Sequence, residues 1–263
     1  MRIPLYQVDA FTRRVFGGNP AAICPLEAWL PDATMQAIAA ENNLAETAFI
    51  VPDGEDFGLR WFTPAVEVDL CGHATLATAH LLLTRLEPAR GEVRFQTRSG
   101  LLTVKRDGER LVMDFPSRPA AAAPPAPGLL EALGRRPAAV LLSARAKNYL
   151  LVYNSADEVR ALRPDFAALA RIEGHGVIVT AAGSDGVDFV SRYFAAWHGI
   201  PEDPVTGSAH CTLTPYWAKR LGKRDLVAQQ VSPRRGELFV SERGERVMIG
   251  GYCAFYLEGV IEI

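Results

Sequence analysis

The 263-residue chain has little cysteine, no basic cluster and no long apolar run. Its four cysteines, Cys24, Cys71, Cys211 and Cys253, lie far apart and form no CxxC pair, which excludes a zinc knuckle and a disulfide framework. His73 and His80 fall about two turns apart on one helical pattern, but no HExxH or similar ligand set accompanies them, so no metal is expected. Lys and Arg (28) are scattered and nearly balanced by Asp and Glu (30), for a net charge of -2. The electrostatic footprint of a nucleic-acid or membrane-surface binder is therefore missing. No apolar segment is long enough to span a bilayer. Residues 1–8 alternate as a strand does and lack the basic start and apolar stretch of a signal peptide, so a cytoplasmic location is expected.

What is present is an average globular composition, 49% hydrophobic and 22% charged, with enough length for one large core or two smaller ones. The pattern predicts strands at 3–11 and 21–24, a helix over Asp32–Asn42 with Met35, Ile38 and Ala39 on one face, and strands at 47–51 and 59–62. A helix follows from Cys71 to Leu86, apolar or small on most faces, then strands at 92–97, 101–105 and 110–115, the last two joined at Asp107-Gly108. Residues 116–128 are almost entirely proline and alanine, which reads as a linker between halves at 1–115 and 129–263.

Past the linker the same order returns. Leu59-Arg60-Trp61-Phe62 is echoed by Ser191-Arg192-Tyr193-Phe194, and Gly72 falls opposite Gly207. Gly100, Leu102, Val104, Gly108, Glu109 and Arg110 match Gly236, Leu238, Val240, Gly244, Glu245 and Arg246 at one constant offset. Matches in a fixed order predict an internal repeat. The expected fold is α+β: two pseudo-symmetric halves, each a curved mixed or antiparallel sheet wrapped around a central buried helix, with the active site in the cleft between them. The second central helix, from Ser208 to Leu221, carries Pro215 in its interior, where a kink or an early 3₁₀ turn is expected.

The stretch 201–210, Pro-Glu-Asp-Pro-Val-Thr-Gly-Ser-Ala-His, opens that second helix, with Asp203 and Thr206 as candidate caps. Such a helix start offers unpaired N–H donors to an anion such as a carboxylate, although an ordinary capped turn has the same sequence. Cys71-Gly72-His73 opens the first helix in the same way, and a cysteine at a helix N-terminus is expected to have a lowered pKa.

Four segments, spread over nearly the whole chain, carry a family resemblance. They are Val8-Asp9-Ala10-Phe11-Thr12 with Gly17-Gly18-Asn19-Pro20-Ala21; Asn43-Leu44-Ala45-Glu46-Thr47; Cys71-Gly72-His73-Ala74-Thr75; and Glu202-Asp203-Pro204-Val205-Thr206-Gly207-Ser208-Ala209. In this order the chain resembles the PhzF-like, phenazine-biosynthesis family of the diaminopimelate epimerase fold. The resemblance implies a biosynthetic isomerase without metal or organic cofactor that moves a proton between carbons of a small carboxylate-bearing metabolite, working as a homodimer. It implies Glu46 as the acid/base, with His73 and Asp203 assisting proton transfer and Gly72, Thr206, Gly207 and Ser208 holding the substrate. Read without the family, Glu46 is an acidic residue in a loop before a strand, and His73 is equally a cap or core-edge histidine.

Epimerases and racemases of this fold use two cysteines, one at each helix start; here Cys71 takes the first place and Thr206 the second. A threonine hydroxyl is far too weak an acid for the second base. The alternatives are a one-base dehydratase or epimerase of the racemase group, and a non-catalytic small-molecule binding protein.

Overall fold

Alternation of apolar and polar residues lays Arg2–Ala10 down as strand β1, and Asn19–Pro25 returns antiparallel to it as β2, Asp9 facing Pro20. The structure is a computed structural model that describes residues 1–172 and 174–263. β2 then runs parallel to β3 (Glu46–Asp53), a pairing that requires a crossover, and helix α1 (Asp32–Asn42) supplies it. α1 buries Met35, Ile38 and Ala39 against Phe49 and Phe62, the face expected from its spacing. It stops at Asn43, whose left-handed backbone (φ 48°) sends its N–H to the Ala39 carbonyl.

β3 pairs antiparallel with β4 (Asp56–Phe62), and β4 with the short β5 (Glu67–Val68). Helix α2 (Gly72–Leu81) follows and buries every residue except His80, because alanine, leucine and threonine occupy all its faces. It packs against β1, β2 and β3 and continues as a π-turn at Leu82–Leu86. The meander β6 (Glu92–Thr97), β7 (Gly100–Asp107) and β8 (Arg110–Pro116) comes next, with β6 parallel to β4 and the expected hairpin at Asp107-Gly108.

Within the proline/alanine segment, Ala121–Ala122 form β9, which pairs with β10 (Ala139–Ser143) beyond helix α3 (Leu129–Leu133). β11 (Asn148–Val152) is antiparallel to β10 and parallel to β12 (Gly176–Ala182), the crossover being helices α4 (Ala156–Ala161) and α5 (Phe166–Leu169). β12 pairs antiparallel with β13 (Phe189–Ala195), and β13 with the short β14 (Ile200–Asp203). A 3₁₀ turn at Gly207–Ala209 leads into α6 (His210–Leu221), then β15 (Asp225–Gln230), parallel to β13. β16 (Gly236–Arg243) and β17 (Arg246–Gly251) follow. Leu129, Leu133, Leu151, Val159, Leu169, Val179 and Phe194 form the core on the α3–α5 side.

The chain divides into two compact units, one of Met1–Asp114 with Gly250–Ile263, the other of Phe115–Ile249. The pattern-based reading assigns the last residues to the C-terminal half. In the structure β18 (Cys253–Glu262) pairs antiparallel with β1, Arg2 opposite Glu262, and so folds with the first unit. The architecture is α+β, a mixed sheet with a largely buried helix in each unit. Among the described residues no helix is long and apolar enough to cross a membrane.

Pro215 lies inside α6 and has no N–H to offer the Cys211 carbonyl. The backbone N–H of Arg118 takes that place at 2.9 Å, while the Arg118 carbonyl accepts from the hydroxyls of Thr212 and Ser143, each at 2.9 Å. The gap that proline leaves thus fastens the proline/alanine segment to the helix.

Candidate active site

Glu46 begins β3, in register with Ala21, and His73 is the second residue of α2; the packing of α2 on β2 and β3 brings them together. His73 Nε2 stands 3.1 Å from Glu46 Oε2, the side chains 5% and 13% exposed. A charge pair so sheltered from water is screened far less than one at the surface. Behind the ring, the Asn19 side-chain amide lies 3.1 Å from Nδ1 and the Cys71 sulfur 3.5 Å from the same nitrogen. When the imidazole is neutral, an amide N–H donated to Nδ1 leaves the ring proton on Nε2, facing Glu46; when it is charged, Nδ1–H faces the sulfur.

The Asn19 position is built by its neighbours. The loop between β1 and β2 passes through Gly18 at φ +61°, where a Cβ would stand 2.0 Å from the Ala10 carbonyl oxygen. Buried Asp9 accepts the backbone N–H of Phe16 at 2.8 Å and holds that loop. In the sequence Asn19 stands out only as part of the Gly17-Gly18-Asn19-Pro20 turn; its complete burial beside a histidine is a product of the fold.

Burial acts against a charged His73, while the Cys71 sulfur and the Glu46 carboxylate favour it; the balance raises the imidazole above its ordinary value. Cys71 differs from expectation. Its place at the helix start is outweighed by burial and then by the Glu46 charge, which push the thiol up to about 11, so it is neutral at neutral pH. Neither Cys71 before α2 nor Thr206 before the 3₁₀ turn caps its helix through a side chain, so both starts keep uncapped N–H groups.

One donor atom each from Glu46, Cys71 and His73 lies within 4.8 Å of the others, a cluster that spacing along the sequence does not reveal. Glu46 meets Nε2 and Cys71 meets Nδ1, opposite nitrogens of one ring. One ion held by a single imidazole nitrogen would have to reach both partners from one side of that ring.

In the second unit, Asp203 ends β14, and its carboxylate accepts the Thr206 hydroxyl. Gln230, at the end of β15, accepts the Thr206 N–H at 2.9 Å and donates to the Asp203 carbonyl at 2.8 Å. Gln230 is thus the girder of this turn. Gly207 is buried at the start of the 3₁₀ turn, and the half-exposed Ser208 hydroxyl has no hydrogen-bond partner among the described residues. His210 lies one turn on, its Nδ1 2.9 Å from the Thr206 carbonyl, and burial pushes its pKa down to about 4. Burial and then the Asp203 charge push Tyr193, opposite Asp203 in the β13–β14 register, up to about 12.

Each unit also clamps a glutamate on its short strand. Arg60 meets Glu67 through two bonds of 2.7 Å, and Arg192 meets Glu202 at 2.7 and 2.8 Å. Each arginine also lies over the phenylalanine two residues on, Phe62 or Phe194, at 5.2 and 5.0 Å.

With the geometry in place, comparison with known proteins locates the chain among its relatives. The family model described as PhzC-PhzF, phenazine biosynthesis-like protein, matches residues 8–259. An uncharacterized isomerase of Pseudomonas aeruginosa is 54% identical over 264 residues, covering 100% of both chains. A crystal structure of a phenazine biosynthesis protein of the PhzF family from Enterococcus faecalis superposes with a TM-score of 0.95 at 46% identity, covering 100% of both chains. A probable proline racemase from Agrobacterium radiobacter shares the fold at a TM-score of 0.64 and 13% identity, over 99% of this chain and 92% of that one. Matched from end to end at such identity, the chain is an isomerase and belongs to the PhzC-PhzF, phenazine biosynthesis-like family.

Proposed function

We propose that the chain moves a proton between carbons of a small carboxylate-bearing metabolite without a metal or organic cofactor, with Glu46 as the acid/base. The observation that carries this is the sheltered 3.1 Å approach of Glu46 to His73, itself backed by Asn19. Glu46 takes the proton as the substrate C–H bond breaks, and returns it as a C–H bond forms at another carbon. His73, whose Nε2 stands 3.1 Å from the carboxylate, stabilises its charge. Asp203 assists proton transfer. Gly72, Gly207 and Ser208 bind the substrate carboxylate through uncapped backbone N–H groups and a free hydroxyl, and Thr206 holds that turn. A thiol pair has no support: Cys71 is neutral, and Thr206 donates its hydroxyl to Asp203.

Two further readings belong with this one. The units are copies of an ancestral half, supported by the shared order of strands and by the matching Arg60–Glu67 and Arg192–Glu202 clamps. The chain acts as a homodimer, supported by the apolar side chains that β18 exposes at Tyr256, Leu257 and Val260. A screen of carboxylate-bearing cyclic metabolites in deuterium oxide tests the catalytic reading. Wild-type protein should label one class of compound at carbon, and Glu46→Gln should lower that labelling by about a hundredfold or more while binding persists.

A further inference from the structure

One cavity is lined wholly by residues of the second unit. Its volume is about 490 Å³, in the range of small-molecule sites, and its walls combine Leu162, Phe166 and Val231 with four arginines and one acid, Glu202. The charges do not cancel. Arg192 is held by Glu202, and Arg160 by Asp157 at 3.0 Å. Among the described residues, neither Arg163 nor Arg235 has an acidic partner, which leaves two exposed arginines in the lining without a compensating carboxylate.

Arg163 is held through its guanidinium and Arg235 through its backbone. Arg163 donates to the carbonyls of Arg160 and Leu162, each at 2.9 Å, and the Leu162 carbonyl also accepts from Arg192. Arg235 sits in a turn at φ 54° whose backbone N–H meets both the carbonyl and the hydroxyl of Ser232. Successive strand residues face opposite sides, so Glu202 lines this cavity while Asp203 turns to Thr206.

We propose that this cavity is a binding site for a phosphate monoester with an apolar body. Two guanidinium groups without an acidic partner match a dianionic head better than a single carboxylate, and Phe166 with Leu162 and Val231 receives the apolar part. None of its lining residues belongs to the first unit, which holds the Glu46–His73 pair.

Phenyl phosphate is the probe, titrated calorimetrically into the wild-type protein, Arg163→Ala/Arg235→Ala and Glu46→Gln, with benzoate as the comparison. The wild type should bind phenyl phosphate saturably with one site per chain, more tightly than benzoate and more weakly as salt is added. The double variant should bind at least about tenfold more weakly with an unchanged circular dichroism spectrum, and Glu46→Gln should bind as the wild type does. Absence of saturable binding, full affinity in the double variant, equal affinity for benzoate, or loss of binding in Glu46→Gln would each overturn the proposal.

Discussion

His73 and His210 are both buried near helix starts, yet their surroundings drive their proton equilibria in opposite directions. His73 faces Glu46, and its folded-state pKa lies above the ordinary 6.5. Its stabilisation is therefore complete below the unfolded value and is lost as pH rises through the folded one. His210 faces no charged partner among the described residues, its Nδ1 meeting the Thr206 carbonyl and its ring lying beside Phe189, and burial lowers it to about 4. Its contribution is present above 6.5 and falls away as pH drops toward 4, by about 3 kcal/mol for a shift of this size. Urea unfolding across pH should show His73→Gln removing part of the alkaline loss and His210→Phe part of the acid loss. A neutral, buried Cys71 should also react slowly with iodoacetamide at pH 7 in the folded protein and rapidly once urea unfolds it. At this scale the sequence carries residue types but not environments. The helix start that argues for a lowered Cys71 pKa is visible in the chain, whereas the burial and the Glu46 charge that reverse it come from residues brought together only by folding.

Elements follow the sequence most closely where one residue pattern settles burial. α2 is apolar or small on every face, so it has to be enclosed, and Leu76 at its centre is fully buried. Leu76→Ala should cost about 2–5 kcal/mol in chemical denaturation. The constant offset linking Gly100 with Gly236 and Arg110 with Arg246 is equally informative, since these residues open β7, β16, β8 and β17. Short elements are less legible: β9, α3 and α4 are too brief for periodicity to stand out beside the proline-rich segment. The Arg192–Glu202 clamp is a tertiary fact of the same kind. Glu202→Ala leaves a guanidinium that is 8% exposed without its carboxylate and should destabilise by about 3–5 kcal/mol. Glu262→Ala, at the exposed pair with Arg2, should change stability by less than about 0.5 kcal/mol.

At the scale of the whole molecule, β18 returns to β1, so the first unit is completed only by residues more than 130 positions beyond the rest of it, across the whole second unit. A linear reading divides the chain once, at its proline-rich segment, because composition marks linkers but says nothing of which strand a terminus pairs with. Removing residues 253–263 should therefore strip β1 of a neighbour and unfold the first unit, seen as lost near-ultraviolet circular dichroism and lost cooperativity; a truncated chain that melts as the full one does would contradict this. The family is legible in the motifs alone, since its segments keep their order from Val8 to Ala209. Asn19 and Gln230, which position His73 and the Asp203–Thr206 turn, emerge only from the fold. The most direct measurement of the central claim is solvent deuterium incorporation into the substrate that the exchange screen identifies, compared between wild type and Glu46→Gln at matched substrate saturation. The account predicts that the variant binds that substrate and incorporates deuterium at carbon about a hundredfold or more slowly than the wild type. Incorporation at the wild-type rate would contradict it and remove Glu46 from the proton's path.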